Sequence, residues 1–450
     1  MVTKTPIVSL QAPKDVSLEE IDRELNNLWT SLGKDEDSSA SRAATFSLIV
    51  YEPNATQELL AALGYYTGPV DGISGPRNQA AISSAQKKYG LEVTGEASPQ
   101  LLERLQAEYT KAKEADKLTP ENKTAAIQYG GDSQSSIADA IASANPCRII
   151  ALVPSLGQDE GVKAQVSAYC PVNKQNKESL ICCEYITLSG TAEALERIGG
   201  IITSLTIGDL PKFVWWKAAP SPEYGLFQRL VKYGDSIIFD SSSFVLPEVN
   251  LGIISEMIQH TVLADLNWRR LAPWQELSAE AFDPPERRAE IYKVDRVTID
   301  YEKGNQAQAL MFLGWLGSRL NWTPKAYEKK NDEYDLRIIK FATNDGKEIQ
   351  AELAAIPTAD WGDIPGDLIS LRLTSTNDKA DCCTVLCSST TGCMRMEAGG
   401  GAQSCYVQQV APLFDQKTED LLGQQLQRWG REVLYEESMA VTAKILELDT

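Results

Sequence analysis

The sequence predicts an α/β domain with a mostly parallel sheet, a three-helix module inserted into it, and an α+β domain at the C-terminal end. Three observations lead to this prediction. Short apolar runs alternate with helical patterns over residues 147–240, which is typical of a parallel sheet. Turns rich in glycine and proline separate short helices over residues 57–107. Beyond Pro285, several strand-like runs indicate a second, antiparallel sheet.

The N-terminal segment predicts an amphipathic helix and then a strand. Apolar residues recur at helical spacing over residues 18–32, and Ser17 with Glu20 has the pattern of a capping box. After a polar loop, the apolar run at residues 46–51 predicts a strand that Pro53 ends.

The next fifty residues predict a compact three-helix module. Helices are expected at residues 58–63 and 79–89, and a third begins at Pro99. The Gly-Tyr-Tyr, Gly-Pro-Val-Asp-Gly and Tyr-Gly-Leu elements of this stretch resemble the peptidoglycan-binding-like module, a likeness that is specific for the fold and not for the ligand. We expect residues 54–110 to protrude as a protein-contact or spacer element. Its core residues should serve only the module itself: Leu60, Leu63, Tyr66, Ile82 and Leu91.

The α/β region then alternates between strands and helices. Its first strand is a nearly continuous apolar run, as expected for a strand buried on both faces of a sheet. Strands are predicted at residues 147–153, 164–169, 180–188, 212–216 and 236–240. Helices are predicted at residues 135–144, 191–202 and 225–233.

The C-terminal region predicts strands around two helices. Residues 297–301 alternate cleanly between apolar and polar, and leucines at helical spacing follow at residues 310–320. Further strands are expected at residues 336–342, 349–355, 369–374 and 383–387, before one long closing helix at residues 418–448.

Charge and composition exclude several classes of partner. With 43 lysines and arginines against 62 aspartates and glutamates, the net charge is −19, which disfavours binding to nucleic acid or to anionic membrane. No apolar run approaches the roughly 20 residues of a membrane helix, and none of signal-peptide length begins the sequence. Nine cysteines, an odd number, favour a reducing compartment. We therefore expect a cytoplasmic protein.

The sequence gives little support for catalysis. His260 is the single histidine, and its apolar, helix-like surroundings indicate a packing or surface residue, not part of a catalytic triad or a histidine-rich metal site. An α/β sheet leaves a nucleotide-dependent enzyme as an alternative, yet no dinucleotide or P-loop pattern follows a strand. The glycine-rich segment 398–404 has no lysine and predicts a flexible loop. We expect no enzyme activity, no cofactor and no metal.

The cysteines offer a candidate regulatory site. Five lie within residues 382–405, but no Cys-x-x-Cys pair supports a zinc site. Cys387 and Cys393 bracket a polar turn that brings two strand ends towards disulfide distance, so they are a candidate redox pair, reducible by thioredoxin in the cytosol. The alternative is that these cysteines are small buried apolar residues. Cys182 and Cys183 lie in an apolar strand and are expected in the core.

Four tryptophans are candidate contact residues. Trp215, Trp216, Trp268 and Trp274 are expected in the core or at a seam between domains. If they were exposed, they would serve as anchors for a protein partner.

Three segments resemble the OpcA family, the glucose-6-phosphate dehydrogenase assembly proteins. They are residues 145–153, residues 209–216 and, as the most distinctive, residues 265–274 with the sequence Asp-Leu-Asn-Trp-Arg-Arg-Leu-Ala-Pro-Trp. The combination with the three-helix module is similar to cyanobacterial members. The resemblance implies that the chain binds glucose-6-phosphate dehydrogenase and promotes its assembly and activity. A wall- or glycan-binding role for the module remains an alternative.

The same resemblance implies a domain arrangement. The strand at residues 46–51 would join the sheet that contains residues 147–153. Residues 1–53 and 115–285 would then form a discontinuous α/β domain, residues 54–110 the insert, and residues 286–450 the α+β domain. Insertion at a loop is physically cheap. In a photosynthetic cell, oxidation of the cysteine pair would be expected to strengthen activation of the dehydrogenase.

Overall fold

The protein combines two β-sheets with many helices. The computed structural model describes residues 7–32, 40–42, 44–115, 117–119, 122, 124, 141, 146–171, 180–330, 334–357, 364–377, 379–380, 382–389, 393–399, 407–412 and 418–449. The helix predicted at residues 135–144 lies outside these residues except for position 141.

The first sheet has a parallel centre. Its strands are β1 (Ile7–Val16), β2 (Ala40–Arg42), β3 (Ser47–Tyr51), β4 (Arg148–Pro154), β5 (Lys163–Pro171), β6 (Leu180–Gly190), β7 (Lys212–Trp216), β8 (Ser236–Phe239) and β9 (Leu263–Asp265). The spatial order is β1-β5-β6-β4-β3-β7-β8-β9, and β2 also pairs with β6. The strands from β6 to β9 run parallel, whereas β1 and β5 pair antiparallel at one edge. The pairing of β3 with β4 confirms that these two segments share one sheet.

The order of the parallel strands contains a reversal. From β3 the chain continues through β4 to β6 on one side, and from β7 through β8 to β9 on the other. In open α/β sheets, the carboxyl ends of the strands at such a reversal border a crevice. Here that position lies between β3 and β7.

The helices are α1 (Ile21–Leu32), α2 (Ala55–Ala62), α3 (Pro76–Tyr89), α4 (Pro99–Glu114), α5 (Ala192–Arg197), α6 (Gly199–Ser204), α7 (Gly225–Tyr233), α8 (Pro247–Met257), α9 (Leu266–Arg269), α10 (Ala272–Glu280), α11 (Ala307–Leu320), α12 (Thr418–Gln425) and α13 (Val433–Leu446). The predicted capping box of Ser17 and Glu20 is present, on a short 3₁₀ turn that leads into α1. The single helix predicted at residues 191–202 is wrong, because the backbone leaves helical geometry at Ile198 and divides it into α5 and α6. In the described part of the chain, no helix has both the length and the apolar composition needed to cross a membrane.

The helices α2, α3 and α4 form the predicted module. Gly90 ends α3 with a left-handed backbone (φ 70°), a conformation that glycine adopts at little cost. The module has its own apolar cluster, but buried Leu156 joins that cluster from the loop after β4. The expectation that the core serves only the module is therefore wrong. The Tyr51 hydroxyl also donates to the Asp71 carbonyl oxygen at 2.8 Å, so the module packs on the carboxyl ends of the parallel strands.

The second sheet is mostly antiparallel. Its strands are β10 (Arg296–Glu302), β11 (Thr323–Lys330), β12 (Leu336–Ala342), β13 (Glu348–Ile356), β14 (Leu368–Thr374), β15 (Cys383–Ser389), β16 (Cys393–Gly399) and β17 (Val407–Pro412), in the order β11-β12-β13-β10-β14-β15-β16-β17. Among these described strands, β10 and β13 form the parallel pair, and the other neighbours are antiparallel.

The closing helix is two helices. Leu421, Leu422 and Leu426 pack α12 and the residue after it into a cluster with one face of the first sheet. In contrast, α13 lies against α11 beside the second sheet, where Ser438 Oγ donates to the Met311 carbonyl oxygen at 2.7 Å. The prediction of one continuous helix is wrong, because the chain turns after α12 to cover two different surfaces.

Candidate functional site at the seam between the two sheets

The segment 265–274 lies between the two sheets, where it forms α9 and the start of α10. Asp265 caps α9 by accepting a hydrogen bond from the Asn267 amide at 2.9 Å, and it accepts another from the Ser241 amide at 3.0 Å. Burial raises the pKa of Asp265 to about 6, and the nearby Asp240 adds to this effect. The segment is therefore anchored by a buried carboxyl group.

A buried ion pair forms the centre of the seam. Arg270 donates to both carboxylate oxygens of Asp240, at 2.8 and 3.0 Å. Burial alone would raise the pKa of Asp240, but the charge and hydrogen bonds of Arg270, with hydrogen bonds from Ser242 and Thr418, hold it below its usual value. The Thr418 hydroxyl reaches Asp240 at 2.8 Å from the first residue of α12. The pair thus ties the loop after β8, the segment after β9 and the C-terminal helices together.

The start of α11 enters the seam from the second sheet. The Asn305 side-chain amide donates to three backbone carbonyl oxygens in the loop 241–244, at 2.9, 3.0 and 3.1 Å. Gln308 donates to Asn267 Oδ1 at 2.9 Å and to Asp367 Oδ1 at 2.5 Å. Buried amides with several partners fix the relative position of the groups they join.

The two residues before Arg270 hold the C-terminal segment. Trp268 Nε1 donates to Glu432 Oε1 at 2.8 Å, and its ring centroid lies 5.6 Å from that of Tyr435. Arg269 Nε donates to Gln425 Oε1 at 2.6 Å. The connection between α12 and α13 is therefore bound directly to α9.

The four candidate tryptophans are all buried. Trp215 and Trp216 are each 1% exposed, and Trp268 and Trp274 are each 2% exposed. Trp216 stacks on Tyr51 with ring centroids 3.8 Å apart. None of the four presents an exposed face, and Trp268 joins the C-terminal segment at the seam through its hydrogen bond to Glu432.

The crevice between β3 and β7 contains buried charges. Lys217 Nζ lies 3.4 Å from Glu52 Oε1, and both side chains are 9% exposed. Glu58, in α2, lines a small cavity together with Val70 of the module and Lys217. Burial raises the pKa of Glu58 to about 8; the charge on Glu52 adds to this and that on Lys217 opposes it.

This crevice differs from a dinucleotide site in its chemistry. A pyrophosphate binds where a glycine-rich turn and a free helix N-terminus present amide hydrogens. Here Asn54 accepts the hydrogen bond of the Thr56 amide at the start of α2, and Pro53 takes the place of a glycine-rich turn. Glu52 adds a carboxyl group that already occupies the nearby cation, Lys217, which a phosphate would need.

Comparison with known proteins identifies the family. Residues 138–256 match the model of the glucose-6-phosphate dehydrogenase subunit N-terminal domain, residues 261–439 that of its C-terminal domain, and residues 53–105 that of a peptidoglycan binding domain. The chain is 57% identical to the OxPP cycle protein OpcA of Synechocystis sp. over 446 residues, covering 98% of this chain and 94% of that protein. The chain belongs to the OpcA family. Its identity to the OpcA of Nostoc punctiforme is 58% over 448 residues, which is 98% of this chain and 96% of the relative.

Among solved structures, levoglucosan dehydrogenase in complex with NADH and L-sorbose is similar at a TM-score of 0.39 and 6% identity, over 90% of this chain and 97% of that one. At this level the similarity carries no functional conclusion.

The most distinctive OpcA-like segment, residues 265–274, is also the segment that builds the seam. The partners of its arginines and tryptophan were not found from the sequence. Asp240, Gln425 and Glu432 lie between 30 and 164 positions away from the side chains they bind, so no local pattern points to them. For Glu52 the sequence contains a weak signal, since this residue directly follows a buried strand.

The candidate redox cysteines lie on adjacent strands of this OpcA protein. The backbone register pairs Cys393 of β16 with Ser389 of β15, and Cys387 with Arg395, so the cysteines are two positions out of register. The side chains of Cys387 and Cys393 are outside the described part of the structure, so the disulfide between these two residues stays a prediction. The glycine-rich segment begins inside β16, because Ala398 and Gly399 end that strand; residues 400–404 are outside the described part.

Other cysteines lie in the core of the first sheet. Cys182 and Cys183 are buried, and Cys182 is disulfide-bonded, whereas Cys183 is free. The Sγ atoms of Cys183 and free Cys147 are 4.0 Å apart, and burial raises the pKa of the Cys147 thiol. The single histidine, His260, is exposed in the turn after α8.

Proposed function

We propose that this OpcA family member is a non-catalytic, cytoplasmic activator and assembly factor that binds glucose-6-phosphate dehydrogenase. The observation that carries the proposal is the agreement over nearly the whole chain with OpcA proteins of the OxPP cycle. The two matching models named for a glucose-6-phosphate dehydrogenase subunit, over residues 138–256 and 261–439, support the choice of partner.

The domain arrangement belongs to the same proposal. Residues 1–53 and 115–285 would form the discontinuous α/β domain, residues 54–110 the insert and residues 286–450 the α+β domain. Hydrogen bonds from Thr418 to Asp240 and from Asn305 to the loop 241–244 cross between the α/β and α+β parts and support a rigid joint. A rigid surface loses little conformational entropy on binding, so its contact energy is available to favour one state of the partner.

The crevice supports a non-catalytic role. The buried Glu52 carboxyl group, which pairs with Lys217, disfavours a phosphate at the place where dinucleotides bind in related sheets. The module also contributes Pro69 and Val70 to the lining of this cavity. A nucleotide-dependent reaction at this position is therefore a weaker hypothesis than a non-catalytic role.

The experiment mixes the purified chain with the dehydrogenase at micromolar concentration and measures size-exclusion elution and initial rates. We expect no dehydrogenase activity from the chain alone, a complex with the enzyme, and a lower apparent KM or higher kcat for the enzyme. An unrelated acidic protein at equal concentration is the control for nonspecific effects. Unchanged elution together with unchanged kinetics would show that the proposal is wrong.

Redox control at Cys387 and Cys393 is part of the proposal. Diagonal neighbours on antiparallel strands lie about 7–8 Å apart, somewhat beyond the usual Cα separation in a disulfide. Closing the bond would require a local shift of β15 against β16, and strained disulfides are easily reduced by thioredoxin. In the same kinetic assay, the parent should activate more strongly after oxidant than after reduced thioredoxin. A Cys393→Ser variant that responds like the parent would remove this part of the proposal.

A second candidate function is glycan binding by α2, α3 and α4, which the match of residues 53–105 to PG_binding_1 favours. Cosedimentation of the full chain with purified peptidoglycan tests it. A chain that stays in the supernatant at every concentration contradicts this candidate.

A further inference from the structure

The connection between α12 and α13, together with the first turn of α13, exposes large apolar side chains. Trp429 and Val433 are each 59% exposed, and Leu434 is 43% exposed. With Arg428 they form what we call the connector surface (Arg428, Trp429, Val433 and Leu434). Exposed tryptophan close to arginine is the composition that dominates the energy of protein interfaces.

Trp429 is held in place although it is exposed. Its Nε1 donates to the Leu426 carbonyl oxygen at 3.0 Å, and its ring lies edge-on to Phe213 with centroids 6.4 Å apart. Leu426 itself is buried in the cluster beneath the first sheet. The indole N–H is therefore satisfied within the chain, and the exposed ring surface gains mainly from an apolar contact. A side chain fixed in this way loses little entropy when a partner covers it.

The charges around Trp429 indicate the chemistry of the partner. Arg431 is engaged, since it donates to the Ile258 carbonyl oxygen at 2.7 Å and lies 2.7 Å from Glu436 Oε1. Arg428 forms no ion pair with any residue that the structure describes. A guanidinium left available on a chain of net charge −19 is suited to an acidic group on a partner.

The connector surface belongs to the part of the chain shared with the dehydrogenase-subunit domains. All four of its residues lie within the matched range 261–439. Glu432 in the same connection accepts the hydrogen bond of Trp268, so the surface is fixed to the seam between the sheets. By contrast, Val93 of the inserted module is 56% exposed but outside both subunit models.

We propose that the connector surface docks on glucose-6-phosphate dehydrogenase, with Trp429 in an apolar recess and Arg428 against a carboxylate. This inference rests on the proposed function. It adds that one short segment, attached to both sheets, carries most of the binding energy.

The test compares the dissociation constants of dehydrogenase complexes formed by full-length variants at fixed salt. Trp429→Ala should weaken binding at least about 30-fold, as expected for an interface anchor. Val433→Glu, which leaves the Trp429 contacts intact, should weaken it at least about tenfold. Tyr292→Ala is the matched control, because Tyr292 is 70% exposed in a different turn, and it should change binding less than about twofold.

The outcomes separate the inference from the proposed function. If the parent chain does not bind the enzyme, the proposed function fails and the inference fails with it. If the parent binds, and both Trp429→Ala and Val433→Glu bind like Tyr292→Ala, only the connector surface is wrong. If instead the parent self-associates and both variants are monomeric with full enzyme binding, the surface pairs two copies of this chain and the inference is overturned. Thermal unfolding of each variant confirms that a loss of binding is not a loss of folding.

Discussion

Replacing Arg270 by methionine would leave the Asp240 carboxylate buried without its cation. Asp240 is 3% exposed and accepts two hydrogen bonds from the Arg270 guanidinium, at 2.8 and 3.0 Å. Removing one partner of a buried pair costs about 3–5 kcal/mol, because the remaining charge stays out of water. We therefore expect Arg270→Met to lower the free energy of unfolding by that amount. Removing both charges, in Arg270→Met with Asp240→Asn, should cost clearly less.

The matched control is an arginine–aspartate pair on the surface. Arg197 Nη2 lies 2.6 Å from Asp159 Oδ2, but the two side chains are 59% and 37% exposed. Arg197→Met should cost less than about 1 kcal/mol. Urea unfolding followed by tryptophan fluorescence measures the free energy of unfolding of the parent, of Arg270→Met, of Arg197→Met and of the double variant. Equal costs for Arg270→Met and Arg197→Met would refute the role of the buried pair, as would a double variant less stable than Arg270→Met alone.

The pair also predicts a pH dependence. The pKa of Asp240 is lowered in the folded protein, so its stabilising contribution is present above the unfolded pKa and is lost as pH falls through the folded value. In the parent this loss occurs below about pH 4. Without Arg270, burial is the largest remaining influence and raises the pKa of Asp240, so the Arg270→Met variant should instead lose stability as pH rises above about 4.

Two further predictions concern the crevice and the helix packing. The pKa of Glu58 is raised to about 8 in the folded state, so the parent should lose stability as pH rises from about 5 to 8, by on the order of 4 kcal/mol from this group. The Glu58→Gln variant should not show this loss. Identical pH profiles of parent and variant in urea unfolding would contradict the raised pKa of Glu58. Gly314 lets α11 approach α13, since a Cβ there would lie 2.6 Å from the Ser438 carbonyl oxygen. Gly314→Ala should therefore lower the free energy of unfolding by about 1–3 kcal/mol. The control Gly252→Ala, on the open face of α8, should raise it by up to about 1 kcal/mol. Similar effects of both changes would show that α11 and α13 are packed less closely than described.

Sequence-based expectation and structure differ most at the ends and pairings of the elements. The apolar runs that became β3, β4 and β7 were predicted because strands buried on both faces carry few polar residues. The prediction of one continuous helix at residues 418–448 was wrong, because apolar periodicity does not show where a helix must be interrupted. Here the chain has to cover the first sheet with α12 and the side of the second sheet with α13. The strand β11 was missed, since five of its eight residues are charged or exposed and its pattern resembles a loop.

By itself, the sequence determined the local structure and the family of this protein. Capping residues, apolar periodicity and turn chemistry act over a few neighbouring residues, and the segment 265–274 is recognisable as a string of letters. Only the tertiary structure decided that Arg270 meets Asp240, that Trp268 bonds to Glu432, and that Trp429 is exposed. The physical reason is distance along the chain. Residues that lie tens of positions apart come into contact according to the direction in which each crossover connection returns to its sheet. No local sequence pattern encodes that direction.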